Sequence, residues 1–124
     1  MFGISNLTNK KLPQSYSHFK KIKELILGKR YDLSLVFISA QKSKALNKKY
    51  RSKNKPANIL SFPLEKNAGE IFINLNTTKD AYAFKMPHKK YIQFLMIHGC
   101  LHLKGFDHGN KMSDEEKKFF KKLI

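Results

Sequence analysis

The segment from His88 to Lys104 constrains the fold of this chain more than any other, because it is apolar on nearly every side. After its first three residues, HKKYIQFLMIHGCLHLK carries hydrophobic residues around the whole helical turn. A helix that is apolar all round is buried on most sides, so other elements must surround it. Gly105 follows and can adopt the left-handed conformation that ends a helix, with Phe106 available to pack back. We therefore predict that residues 88–104 form the central helix of the core.

The rest of the chain predicts both strands and further helices. We expect strands at 2–5, 33–39, 58–62 and 69–74, and helices at 14–27 and 40–51. The stretch Ser-Asp-Glu-Glu matches a capping box, with Ser113 at the N-cap and Glu116 at N3 of a last helix. The fold class that follows is α+β, with a small mixed β-sheet of about four strands covered by helices. At this length, residues 1–124 are expected to form a single domain.

Three histidines follow the spacing H-x3-H-x2-G-x2-H in and just beyond the predicted central helix. His98 and His102 are four residues apart and so share one helix face, with Cβ atoms about 5–6 Å apart. His108 can approach from outside the helix after the turn at Gly105. Three protein ligands and an open position for water are typical of a catalytic zinc site. We predict one Zn²⁺ per chain, held by His98, His102 and His108 at the end of the buried helix. Nickel, copper and iron remain alternatives because imidazole suits them all.

The residues beside these histidines bear on the kind of site. Gly99 stands where a zinc peptidase of the HExxH type carries its glutamate base, and no second carboxylate is evident near the site. Cys100 is two residues from each helical histidine and points to another side of the helix, so we expect a buried apolar residue. Asp107 either orients a ligand imidazole or serves as a turn residue.

The balance of charge indicates a polyanionic partner. Lys and Arg number 25 against 9 Asp and Glu, a net charge of +16. Such a surface favours nucleic acid first and an anionic membrane surface second, with a merely solvated basic surface as the alternative. The single cysteine excludes an intramolecular disulfide and fits a reducing compartment. With no secretory signal and no apolar run of the ~20 residues that span a bilayer, we expect a cytoplasmic protein without a membrane partner.

A second cluster lies in residues 46–63, LNKKYRSKNKPANILSFP. Arg51 can clamp a phosphate with its two-pronged guanidinium. Lys49, Lys53 and Lys55 are candidate RNA contacts, although any one of them is also typical of a solvated face. Tyr50 and Phe62 either stack exposed bases or pack in the core.

Three blocks in this order, LNKKYRSKNKPANILSFP, GEIFIN and HGCLHLKGFDH, resemble the YbeY family of bacterial endoribonucleases over roughly residues 33–124. The resemblance implies an α+β fold, one zinc held by the three histidines, and cleavage of single-stranded RNA. That activity includes 3′-end maturation of small-subunit (16S) rRNA and ribosome quality control. By position, Arg51 falls in the substrate cleft, which Ser61 and Phe62 also line. The implied partners are single-stranded RNA or rRNA, the ribosomal small subunit or its proteins, and, as a further candidate, a ribosome-associated GTPase.

This sequence departs from the family pattern in the basic loop. The family usually has an aspartate before the loop proline, where Asn54 and Lys55 stand here, and commonly a threonine after it, where Ala57 stands.

The function that these observations favour is a zinc-dependent endoribonuclease. A metal-bound water or a metal-polarised phosphate oxygen would serve the reaction, with Arg51 offsetting the charge that grows in the transition state. A non-catalytic RNA-binding ribosome assembly factor with a structural metal is the alternative. A zinc peptidase with metzincin-like spacing is a further alternative, which Gly99 opposes.

Overall fold

The computed structural model describes residues 1–107 and 109–123. Along the chain, its elements are β1 (Phe2–Asn6), α1 (Tyr16–Leu27), β2 (Asp32–Ile38), α2 (Ala40–Arg51), β3 (Ile59–Glu65), β4 (Ala68–Asn74), α3 (Thr78–Ala83), α4 (His88–Lys104) and α5 (Asn110–Leu123). The α+β class predicted from the sequence is confirmed. Within the described ranges, none of these helices combines the length and hydropathy of a membrane span.

The four strands form one mixed sheet in the order β1-β2-β4-β3. β1 and β2 are parallel, as are β2 and β4, whereas β3 is antiparallel to β4. In the register of the inner pair, Leu35 lies opposite Ile71, and Ile71 lies opposite Ser61 of β3. In this order β3 is an edge strand, so one of its two sides has no neighbouring strand.

The two faces of the sheet are covered by different helices. Leu35, Phe37 and Ile71 belong to the main hydrophobic core, together with residues of α1, α4 and α5. The alternate residues Ile38 and Leu60 are also buried but lie outside that core, because successive side chains of a strand point to opposite faces. α2 packs on β3 and β4 at this second face.

Helix α4 spans the residues predicted for the central helix. Ile92, Met96 and Ile97 are fully buried. At its end Gly105 takes a φ of 110°, and its N–H donates to the carbonyl of His102 at 3.0 Å. The Phe106 N–H donates to Leu101 at 3.0 Å, the second bond of a Schellman motif, and Phe106 packs against the core. The predicted buried helix and its glycine terminator are both confirmed.

Two buried polar residues of α2 fix the loop that leads from α2 to β3. The Ser43 hydroxyl donates to the Ala57 carbonyl at 2.6 Å, and the Ala57 N–H donates back to Ser43 Oγ at 2.9 Å. The Asn47 amide donates to the Lys55 carbonyl at 2.8 Å. These bonds hold the loop's backbone in one conformation, although its side chains are mostly exposed.

The predicted capping box of the last helix is wrong. Helix α5 begins at Asn110, so Ser113 lies inside it and its N–H donates to the Gly109 carbonyl at 3.0 Å. The apolar stripe explains the earlier start, because Met112 is 1% exposed and lies on the same face as Phe119 and Leu123. With the helix starting at Asn110, Met112 joins this buried stripe.

Two further elements differ from the sequence-based expectation. β3 was expected to stop before Pro63 but continues to Glu65, with a register shift between these two residues. A proline is tolerated there because an edge strand needs hydrogen bonds on one side only. The short helix α3 was not predicted.

Serine-to-alanine mutations can test where helices α2 and α5 begin. The Ser39 hydroxyl accepts a hydrogen bond from the Lys42 N–H at 3.2 Å at the start of α2. Replacing an N-cap serine by alanine typically costs about 1 kcal/mol, so Ser39→Ala should lower the free energy of unfolding by that amount. Ser113→Ala, at an exposed position inside α5, should change it by less than about 0.5 kcal/mol. Urea unfolding measures both, and an equal loss in the two variants would contradict the start of α5 at Asn110.

Candidate metal centre

Two of the three predicted metal ligands converge at the C-terminal half of α4. The Nε2 atoms of His98 and His102 lie 3.1 Å apart, with ring centroids 4.6 Å apart and the rings nearly perpendicular. Two nitrogen ligands at ~2.0–2.1 Å from one tetrahedral ion are separated by about 3.3 Å. The observed separation therefore fits two ligands of one ion. Their role as ligands stays a prediction.

A carboxylate from α5 contacts His98. His98 Nδ1 donates to Glu116 Oε2 at 3.2 Å, and the two side chains are 19% and 13% exposed. A proton on Nδ1 leaves the Nε2 lone pair facing His102. Metal-bound histidines usually donate their second N–H to such a carboxylate, which fixes the tautomer and the ring orientation. The donor chemistry of this pair thus fits zinc.

The expectation that no second carboxylate lies near the site is wrong, as is the capping role predicted for Glu116. The signal that locates this residue was present in the sequence. Met112, Glu116, Phe119 and Leu123 recur at helical spacing, so Glu116 belongs to the buried face of α5.

The third predicted ligand, His108, lies outside the described residues. Within residues 1–107 and 109–123, no group of three or more His, Cys, Asp or Glu side chains is placed to hold a metal ion. Asp107 is exposed. Cys100 is fully buried, as predicted, and burial raises the pKa of its thiol to about 12. Its burial fits the apolar role predicted for it.

Gly99 marks the closest approach of α4 to the sheet. A Cβ atom built on Gly99 would lie 2.7 Å from Ile59 Cδ1, 3.0 Å from Ser61 Oγ and 3.1 Å from Ile71 Cδ1. A larger side chain at position 99 would require these side chains of β3 and β4 to move. The close packing therefore disfavours the glutamate that an HExxH peptidase carries at this position.

Ser61 and Phe62, expected in one cleft, lie on opposite faces of β3. Ser61 Oγ is 3.5 Å from the Gly99 carbonyl oxygen, next to His98 in the chain. Phe62 instead contacts the Tyr50 ring of α2, with centroids 5.4 Å apart. Only Ser61 therefore faces the helix that carries the histidines.

The predicted RNA-binding cations lie on the α2 side of the sheet. Arg51 is the last residue of α2, Lys49 is in its last turn, and Lys53 and Lys55 follow in the loop; all four are exposed. Since α2 packs on the face of the sheet opposite α4, these cations belong to the side of the molecule away from the histidine helix. Their roles as RNA contacts stay predictions.

The close packing at Gly99 can be tested by adding a methyl group. Gly99→Ala should lower the urea midpoint, because overpacking typically costs about 1–3 kcal/mol while the better helix propensity of alanine offsets up to about 1 kcal/mol. Gly3→Ala is the matched control, since a Cβ there meets nothing within 4 Å. A higher midpoint for Gly99→Ala than for the wild type would contradict the close approach of α4 to β3.

Comparison with known proteins gives a consistent result. The model of the family described as endoribonuclease YbeY matches residues 4–123. An endoribonuclease YbeY of Halalkalibacterium halodurans is 35% identical, with 73% of this chain and 66% of the relative aligned. One of Pelagibacter ubique is 33% identical, with 95% of this chain and 83% of the relative aligned.

The chain is also similar in structure to a Thermotoga maritima protein solved in solution. The TM-score is 0.72 at 26% identity, covering 99% of this chain and 89% of that one. In length, the chain aligns with just under two thirds of the first curated relatives, at 66% for Halalkalibacterium halodurans and 62% for Chromohalobacter salexigens.

Proposed function

This chain belongs to the endoribonuclease YbeY family, and from that membership we propose that it is a zinc-dependent hydrolase that cleaves single-stranded RNA internally. The observation that supports this most directly is the convergence of His98 and His102, with Nε2 atoms 3.1 Å apart and Glu116 on Nδ1 of His98. A pair of imidazoles backed by a carboxylate is the donor chemistry of a catalytic zinc site. His108 is the proposed third ligand.

The residues of α4 and α5 have distinct tasks in this proposal. A zinc ion bound there supplies Lewis acidity and a water whose pKa is lowered toward ~7. Glu116 holds the His98 ring with its Nε2 lone pair toward the site. Gly99 lets the helix lie against β3, so that Ser61 comes close to the histidine turn. Since Gly99 carries no side chain, a proton acceptor has to come from another part of the chain or from the RNA.

The basic cluster around Arg51 would bind the RNA backbone. Arg51 can contact a phosphate with two parallel hydrogen bonds and stabilise the charge that develops on it. Ser43 and Asn47 already hold the backbone of this loop through the carbonyls of Ala57 and Lys55, so the backbone loses little further conformational entropy when the loop meets phosphates. Binding should weaken steeply with added salt, because phosphate contacts release counterions.

For the natural substrate we propose the 3′ end of small-subunit (16S) rRNA, processed in the cytoplasm during ribosome maturation and quality control. The proposal rests on the family. The small subunit or its proteins, and a ribosome-associated GTPase, are proposed partners on the same ground.

The experiment that tests the function combines metal analysis with RNA cleavage. We expect about one zinc per chain and chelator-sensitive cleavage of a labelled single-stranded RNA, with a matched duplex left intact. His102→Ala should lose both zinc and cleavage, since it removes one of the two converging nitrogens. His18→Ala is the control, because it removes a half-buried histidine that contacts Gln93 at 2.9 Å, away from this pair.

Two results would contradict the proposal. Full cleavage by metal-free protein would exclude a role for zinc in the reaction. Tight RNA binding and one zinc per chain without any cleavage would favour a non-catalytic assembly factor with a structural metal.

The role of Glu116 makes a separate prediction about metal affinity. Loss of a carboxylate behind a histidine ligand typically costs 10–100-fold in metal affinity. Glu116→Gln should lower the zinc affinity about tenfold, because the amide oxygen can still accept a hydrogen bond from Nδ1. Glu116→Ala should lower it by nearly 100-fold. Glu115→Gln, the neighbouring carboxylate on α5, is the matched control. Competition with a zinc chelator measures the affinities, and equal values in all four proteins would show that Glu116 does not orient His98.

A further inference from the structure

We propose that Tyr50 and Phe62 form a base-stacking subsite for single-stranded RNA, on the face of the sheet opposite the histidines. The inference rests on the proposed function, since it describes how the same RNA substrate would be held. It assigns a role to an aromatic cluster that takes no part in the metal centre.

The cluster consists of three rings that run from the end of α2 onto the sheet. The Tyr50 and Phe62 centroids are 5.4 Å apart at 59°, and the Phe62 and Phe72 centroids are 5.9 Å apart at 70°. Phe62 and Phe72 are half-buried, whereas Tyr50 is 57% exposed. The inner two rings thus support the third, which stands in solvent.

The exposure of Tyr50 distinguishes it from tyrosines that serve the core. Tyr31 and Tyr91 are 7% and 3% exposed. The Tyr50 ring has the Lys49 ammonium 5.2 Å from its centroid. An exposed cation–π contact is weaker than stacking of a base on an aromatic ring, so a base can displace the ammonium. Lys49 would then be placed beside the phosphate of that nucleotide.

The positive charge around these rings favours binding of a polyanion. Residues 40–64 contain six lysines and one arginine and no Asp or Glu. In the sheet, Glu70 lies directly across from Phe62 on β4, and Glu65 ends β3. The basic residues of the cluster therefore lie on α2 and in the loop that follows it. Aromatic rings interleaved with cations are typical of surfaces that bind single-stranded nucleic acid.

The subsite and the histidine pair are separated by the edge strand β3. Phe62 and Ser61 are consecutive residues on opposite faces of β3, and Ser61 Oγ is 3.5 Å from the Gly99 carbonyl beside His98. Since β3 is an edge strand, RNA can pass around it from one face to the other. Bases stacked at Tyr50 would anchor the strand beside the point of cleavage.

The absence of tryptophan from the sequence permits a direct test. Tyr50→Trp introduces a single fluorophore at the subsite, and Tyr82→Trp introduces one at a tyrosine that is 85% exposed. Both full-length proteins are titrated with a single-stranded 2′-O-methyl oligonucleotide and with its duplex, and the integrity of the oligonucleotide is checked on a gel after each titration. We expect saturable quenching of the tryptophan at 50 by the single strand only, and little change at 82. Binding of the single strand without quenching at 50 would overturn the subsite.

Affinities measured by anisotropy give a second readout. Tyr50→Ala should weaken binding roughly tenfold, within a range of about 5- to 100-fold for the loss of one stacked base, while Tyr50→Phe should bind as the wild type does. Salt dependence is the slope of the logarithm of the binding constant against the logarithm of the salt concentration. Tyr50→Ala should leave this slope at its wild-type value, whereas Lys49→Ala should reduce its magnitude by about one. Wild-type affinity in Tyr50→Ala would overturn the subsite.

The outcomes separate this inference from the proposed function. If the wild type binds no single-stranded RNA, both fail. If it binds and cleaves RNA while the variants at Tyr50 bind normally, only the subsite fails. Quenching of the tryptophan at 50 by an acidic peptide but not by RNA would identify a protein-binding surface and would also overturn it.

Discussion

The packing of α4 against the sheet is the contact on which the rest of this structure depends. At Gly99 the helix backbone comes so close to β3 and β4 that a single added carbon atom would meet Ile59 Cδ1 at 2.7 Å. The same turn carries His98 on one side and His102 one turn later. A position where packing favours glycine therefore lies between the two histidines of the candidate metal centre. The closeness also brings the edge strand beside the histidines, so fold and site share one constraint.

Helix α5 packs on α4 and brings a carboxylate, Glu116, to the histidine pair. Its apolar stripe buries Met112, Phe119 and Leu123 against the core, and Glu116 lies on that stripe where a hydrophobic residue would be expected. A carboxylate that is only 13% exposed needs a polar partner, which His98 Nδ1 supplies at 3.2 Å. The partly buried acid and the ring it contacts thus satisfy each other. The site is assembled from two helices that are separated in the chain but packed together in the fold.

The sequence predicted those features that are determined locally. Helix α4 has the predicted bounds because its hydrophobic pattern and Gly105 act over a few residues. Helix α2 also has its predicted bounds. The start of α5 could not be obtained in this way, since a favourable local cap at Ser113 competed with burial of Met112, and burial is decided by the core. The continuation of β3 through Pro63 depends on β3 being an edge strand, which is a property of the sheet order.

The His98–His102 convergence followed from spacing, whereas the contact with Glu116 required the packing of α5 on α4. Ser43 and Asn47 look solvated in a polar helix, and only the folded loop shows which backbone groups they bind.

The placement of the basic cluster and the histidines on opposite sides of β3 has a consequence for the proposed substrate. In the proposed binding mode, an RNA strand that contacts both turns around the edge of the sheet, and one base leaves its stack to lie on Tyr50. An A-form duplex keeps its bases stacked inside and presents mainly its backbone and 2′-hydroxyls. A single strand has the freedom to make the turn, and the unstacking it requires is offset by stacking on a protein ring. The position of β3 at the edge of the sheet therefore supports the proposed preference for single-stranded RNA.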